Sequence, residues 1–166
     1  MIEIVKAKPE EFAVIKDIAY KTWPDTYGTI LSKQQLDYML DLFYSEKVLQ
    51  QNASEKGHQF FIAKEHGLPL AFIAIEHDYQ QKNATRIHKI YILPETQGKG
   101  IGKLLIEKAE ALAVDAKSER LSLNVNRHNA AQFFYKKLGF EIVGEEDIAI
   151  GNGYLMEDYI MEKLLR

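Results

Sequence analysis

The chain has 166 residues, 46% of them hydrophobic, with 21 Lys plus Arg against 24 Asp plus Glu and no cysteine. That length buries roughly two thirds of the unfolded surface, enough for one core without staples or metal, and the missing cysteine excludes a disulfide framework, a thiolate nucleophile and any Cys-ligated zinc or iron–sulfur centre. A net charge of −3 lacks the Lys/Arg excess that phosphate neutralisation calls for, so no nucleic acid is expected as a partner.

No repeat, low-complexity tract or Pro/Gly/Ser linker divides the sequence, and residues 1–166 read as one domain. The opening MIEIVKAKPEEF carries three acidic residues and no apolar run of the kind a signal peptide needs. The longest strongly apolar stretch, Leu68 to Ile75, contains Pro69 and falls far short of the ~20 residues of a membrane span. No membrane contact is expected, and the cytoplasm is the expected location.

Alternation of Ile2, Ile4 and Lys6 with Glu3 and Val5 predicts a first strand, ended by Pro9. From Glu10, the residues Phe12, Ile15, Ile18 and Ala19 share a helical face. Ser32 to Tyr44 repeats the spacing with Leu36, Met39, Leu40 and Phe43, and Ser32 is a natural N-cap. Thr22 to Gly28 is expected to interrupt the two helices. Gln59–Lys64 and Leu70–His77 then form a hairpin about Glu65-His66-Gly67-Leu68-Pro69, and Ile87–Leu93 adds a third strand that ends at Pro94. Gly100 to Lys117 reads as a long helix burying Ile101, Leu104, Leu105, Ala109, Leu112 and Ala113. Leu121, Leu123 and Val125 alternate with Ser122, Asn124 and Asn126 as a half-buried strand. A short helix with Ala131, Phe134 and Leu138 on its inner face stops at Gly139. Phe140–Val143 and Tyr154–Lys163 close the chain around Gly151-Asn152-Gly153. The expected fold is α/β (α+β): a mixed, mostly antiparallel sheet of about seven strands flanked by four helices, in the order β-α-α-β-β-β-α-β-α-β-β.

Between the strand ending at Ile92 and the long helix lies Pro94-Glu95-Thr96-Gln97-Gly98-Lys99-Gly100-Ile101-Gly102-Lys103. A strand, a glycine-rich turn and a helix N-terminus aim unpaired N–H groups and the positive end of the helix dipole at one point, which suits a phosphate. Glycine at 98, 100 and 102 removes Cβ atoms that would hold a pyrophosphate off the backbone. A Walker A loop is excluded, because Gln97 stands where its first glycine should be and Leu104 where its Ser or Thr should be. The dinucleotide pattern GxGxxG meets Lys103 at its last glycine.

Gln97-x-x-Gly100-x-Gly102 resembles the acetyl-CoA pyrophosphate loop of the GCN5-related N-acetyltransferases, and Asn129-Ala130-Ala131-Gln132-Phe133-Phe134-Tyr135-Lys136-Lys137-Leu138-Gly139-Phe140 resembles that family's second motif. The resemblance covers nearly the whole chain. It implies an acyltransferase with acetyl-CoA as co-substrate and direct transfer of the acetyl group to an amine. By position it implies that Ile90, Tyr91 and Ile92 bond the pantetheine arm through their backbone, that Gln97, Gly98, Lys99, Gly100, Ile101, Gly102 and Lys103 hold the pyrophosphate, and that Asn129 contacts the cofactor. Tyr135 matches the tyrosine that, in many members, protonates the departing thiolate; a phenol with pKa near 10 is available for that at neutral pH. Many members also pair through sheet edges or last strands, so a homodimer is an assembly the resemblance allows.

Members with a clear general base place a glutamate before the glycine loop or on the strand after the long helix. Here Arg86 and Asn124 stand near those positions, and neither accepts a proton at neutral pH. The expected route is ordered water ending at Glu76, His77 or His88. On the acceptor side, Trp23, Asp25, Tyr27, Glu76 and Tyr154 offer aromatic faces and carboxylates suited to a small-molecule cationic amine. Thr26-Tyr27-Gly28, Gln35 to Leu40 and Gly139-Phe140-x-x-x-Gly144 are similar to the polyamine acetyltransferase branch, which implies spermidine, spermine or a diamine. The alternatives are acetylation of a protein N-terminus or lysine, and a non-catalytic acyl-CoA sensor.

Overall fold

A computed structural model describes residues 1–165. Seven strands form one sheet: β1 (Ile2–Lys6), β2 (Gln59–Glu65), β3 (Leu68–Glu76), β4 (Ala84–Ile92), β5 (Arg120–Asn126), β6 (Glu141–Gly151) and β7 (Tyr154–Leu164), in the spatial order β1-β2-β3-β4-β5-β7-β6. Every neighbouring pair is antiparallel except β4 and β5. The helices are α1 (Phe12–Tyr27), α2 (Lys33–Tyr44), α3 (Glu46–Glu55), α4 (Ile101–Asp115) and α5 (Ala131–Lys137). Mixed sheet and element order follow the sequence expectation, with one helix more.

The sheet is covered on both faces, which is why β2 and β3 are apolar nearly end to end. Phe61, Ala63, Ile73 and Ile75 meet α4 through Ile101, Leu105, Ile106 and Ala109 on one face. Phe60, Ile62, Phe72 and Ala74 meet α1–α3 through Ile15, Ile18, Trp23, Leu40, Tyr44 and Leu49 on the other. His66 and Gly67, both at positive φ, make the two-residue hairpin turn between β2 and β3.

Three local expectations change. The predicted break at residues 22–28 is absent: α1 runs through Pro24 to Tyr27. A proline inside a helix costs about 3 kcal/mol, while burying Trp23 and Tyr27 returns about 1.5–3 kcal/mol for each large side chain, and Pro24 itself faces solvent. The helix α3 went unpredicted because only Leu49 and Asn52 are buried in it; its signal is Ser45, whose hydroxyl accepts from Val48 N at 3.3 Å. Strand β6 extends eight residues past Val143, through mostly exposed edge positions where only Gly144, Ile148 and Ile150 are half-buried, too few to show a period.

Two local features position the site. First, β4 and β5 pair only from Ala84↔Arg120 to Ile87↔Leu123 and then splay. Second, β4 bulges: Ala74 faces Lys89 and Ile75 faces Ile87, so His88 has no partner on β3. The bulge turns two consecutive side chains, His88 and Lys89, toward the α1–α3 side. Beyond α5, Phe140 N donates to Tyr135 O at 3.0 Å and Gly139 N to Lys136 O at 3.1 Å, with Gly139 at φ +100°. This Schellman stop turns the chain back toward the sheet.

Candidate active site

The splay opens a cleft of about 740 Å³ between β4, β5, α4 and α5. Along it, residues 88–92 of β4 have no strand on the β5 side, leaving backbone groups for a ligand to pair. The loop at one end presents Gly98 at φ +90° and Gly100, the α4 N-cap, at φ +74°. A Cβ at either would meet no atom within 4 Å, so these glycines serve the left-handed backbone and keep the approach to the helix N-terminus open. Gly102 differs. It is buried, and a Cβ there would stand 3.0 Å from Phe134 Cζ and 3.1 Å from Ile92 Cδ1. Its role is close packing of α4, not the backbone approach to phosphate expected from the sequence.

Ile90, Tyr91, Ile92, Gln97, Gly98, Gly100, Ile101, Gly102, Lys103, Asn129 and Tyr135 all line this cleft. Lys99 does not; its Nζ pairs with Glu65 at 3.4 Å, toward the β2–β3 turn. Asn129 Oδ1 accepts from Ala131 N at 2.9 Å, steadying the turn into α5. On α5 the inner face is shifted one residue from the expectation: Tyr135 is buried and Phe134 is 37% exposed, lying over Gly102. Burial, with the Tyr27 phenol adding, pushes Tyr135 above its ordinary range, so it stays a neutral hydroxyl.

A second cavity of about 710 Å³ lies on the α1–α3 face. The two cavities share Tyr27, His88, Lys89, Tyr91 and Asn124, and the Tyr27 and Tyr91 hydroxyls meet at 3.1 Å. Of the five residues expected on the acceptor side, Trp23, Tyr27 and Glu76 line this second cavity. The other two do not: Asp25 opens on the first cleft, and Tyr154 packs on Tyr38 at 5.4 Å outside both. The hairpin reaches the cavity through Ile150 and Met156 instead. His77 is also elsewhere, bonded to Thr85 Oγ1 at 2.8 Å.

At the cavity floor Glu76 Oε1 lies 2.8 Å from His88 Nε2 and 3.5 Å from His58 Nε2. Burial lowers His58 to about 4, and burial with the His58 ring and Arg86 holds His88 far below its usual range. Burial raises Glu76 although Arg86 pulls the other way. Both rings are therefore neutral at pH 7. The three residues offer ligand atoms within 4.8 Å of one another, but the imidazoles stack at 3.9 Å with 14° between planes. Both Nε2 atoms approach the same Glu76 oxygen, an arrangement in which a proton can be shared. Nearby, Asn124 Nδ2 donates to Glu146 Oε1 and to buried Asp158 Oδ2, while its Oδ1 is buried without a partner.

Sequence reasoning missed His58 and Lys89 as cavity groups. The readable signal was in β4, where His88 and Lys89, adjacent polar residues inside an alternating strand, mark the bulge.

Residues 29–163 match the model of the acetyltransferase (GNAT) domain. The chain is 28% identical over 167 residues to the spermidine N(1)-acetyltransferase of Thermoplasma acidophilum, covering 98% of this chain and 96% of that one. It is 32% identical over 146 residues to the 5-NmdU N-acetyltransferase of Pseudomonas phage PaMx11, covering 87% and 91%. In structure it is similar to the PaiA N-acetyltransferase of Thermoplasma acidophilum, solved in complex with coenzyme A, with a TM-score of 0.81, 28% identity and 99% of each chain covered.

Proposed function

The chain belongs to the GNAT acetyltransferase family, and from that premise we propose that it acetylates the primary amine of a small molecule seated in the cavity on the α1–α3 face. The observation that carries this reading is the junction itself: a cleft with free strand backbone and a glycine-framed helix N-terminus meets a second cavity at His88, Lys89, Tyr91, Tyr27 and Asn124. Bound acetyl-CoA supplies an activated thioester carbon. Free N–H groups at the start of α4 and the dipole of that helix suit its pyrophosphate, and residues 88–92 suit its amide-bearing arm.

The acceptor ammonium must lose a proton before its nitrogen can attack. His88 accepts on its free nitrogen and passes a proton from Nε2 to Glu76, whose burial-raised pKa favours holding it. As the new carbon–nitrogen bond forms and the carbon–sulfur bond breaks, Tyr135 donates its hydroxyl proton to sulfur and regains one from the amide nitrogen. The products are the N-acetyl amine, the free thiol and one proton.

The polyamine expectation meets a mixed wall. Lys56, Arg86 and Lys89 line the cavity beside Glu55, Glu76 and Asp158, a poorer seat for a polycation than a ring of carboxylates. Mass spectrometry of products from a panel of diamines, spermidine, amino acids and short peptides tests the reading. An acetylated small amine supports it; acetylation of peptides alone moves the acceptor to protein, and tight titration of acetyl-CoA with no product from any amine points to a sensor.

A further inference from the structure

Among the described residues, five lysines reach a carboxylate: Lys21, Lys33, Lys64, Lys99 and Lys163. Lys89 does not. Among the described residues it forms neither ion pair nor hydrogen bond; its ammonium lies 5.3 Å over the Tyr44 ring and 5.8 Å over Phe60, facing both cavities. The charged residue that acts on it most is another cation, Lys56. Arg86, also at this wall, has its charge offset at longer range by Glu146, Asp158 and Glu76. A cation withdrawn from water without a counter-charge is costly unless something that binds supplies one.

A vacancy of the opposite kind lies in the lining of the same cavity. Asn124 Oδ1 is a buried acceptor with no donor, and its orientation is fixed because Nδ2 donates to two carboxylates, Glu146 and Asp158. A flipped amide would set its oxygen against both acids. Asp158 is 5% exposed and lines the cavity beside it. The cavity therefore offers an unfilled acceptor and a carboxylate in one place and an uncompensated cation in another.

We propose that the acceptor carries an anionic group as well as its amine, in the manner of an amino acid: Lys89 takes the carboxylate, and Asn124 Oδ1 with Asp158 holds the amine at the junction. This rests on the small-amine reading above and narrows its substrate class. A cadaverine-like chain satisfies only one of the two vacancies, whereas lysine satisfies both.

The test compares matched pairs that differ by a carboxylate: lysine with cadaverine, alanine with ethylamine, phenylalanine with phenethylamine. Binding to the coenzyme A complex is measured by isothermal titration and turnover by thiol release. At least tenfold tighter binding of the carboxylate member in one or more pairs is expected, with that ratio collapsing toward one in Lys89→Met and recovering in Lys89→Arg. A ratio at or below one in every pair overturns the proposal, as does a Lys89→Met variant that weakens both members equally. Turnover without a carboxylate preference leaves the small-amine reading standing and removes this one. A binding preference without turnover does the reverse.

Discussion

Glu76 and His88 face each other across adjacent antiparallel strands, carboxylate oxygen to imidazole nitrogen at 2.8 Å, because Glu76 pairs with Arg86 and His88, two residues further along β4, shares that side of the sheet. If the pair takes the acceptor's proton, Glu76→Gln lowers kcat/KM by about 10²-fold or more. The competent form is the carboxylate, so kcat/KM rises with pH through a pKa above the usual glutamate range. His88→Ala should lose the same ascending limb. An unchanged limb in both variants removes the pair from the reaction.

The same cluster sets an acid limit on stability. His58 and His88 are depressed in the folded chain, so above pH ~6.5 they are neutral folded and unfolded and contribute nothing to pH dependence. As pH falls below that, the unfolded chain takes up protons that the folded chain refuses, down to about 4 for His58. Glu76, raised by burial, works in the opposite direction but is one group against two. Tm should fall between pH 7 and pH 5, by less in His58→Gln, as read by scanning calorimetry.

Glycines 100 and 102 should fail differently. Gly100→Ala forces a side chain into φ +74° with open space around it, costing on the order of 1 kcal/mol and weakening acetyl-CoA binding through the displaced loop. Gly102→Ala drives a methyl against Phe134 and Ile92, an overpacking cost of about 1–3 kcal/mol. The first shows mainly in titration with acetyl-CoA and the second mainly in Tm.

Tyr135→Phe keeps the buried ring and removes the hydroxyl. Expected are a kcat reduced about 10²-fold, little change in KM for acetyl-CoA, and an unchanged Tm. Burial lifts this phenol beyond its ordinary range, so no descending limb from Tyr135 should enter the wild-type profile below pH 10.

Burial brings Lys89 down to about 8, with Lys56 adding to the fall. Its surroundings are His88 and Arg86 on its own strand, Glu76 on β3, His58 and Lys56 before β2, the Tyr44 and Tyr91 phenols, and Asp158 on β7. Only the ammonium form attracts a carboxylate, so the preference for carboxylate-bearing amines should fade as pH rises through about 8. A preference constant to pH 10 would assign the effect to Arg86.

The strands, the order of elements along the chain and the glycine loop were legible because they are written in short-range pattern: alternation in β5, a helical face in α4, glycines at the loop. Helix α3 and the far half of β6 were not, since each buries too little for its period to show. The cavity on the α1–α3 face was legible only in part. Trp23 and Tyr27 were readable as aromatics of α1, but Asp25, one position off that buried face, points to the other cleft. Lys89 and Asp158 line one cavity only because β4 bulges and β7 returns beside β5, relations between segments far apart in sequence.

The four residue pairs from Ala84↔Arg120 to Ile87↔Leu123 are the whole ladder between β1–β4 and the β5-β7-β6 part of the sheet. A ligand lying along the splay would supply rungs that the protein omits, so it would act as a temporary eighth strand. Amide hydrogen exchange in β4 and β5 should then slow together when coenzyme A is added, while β1 and β6, at the outer edges, keep their own pace.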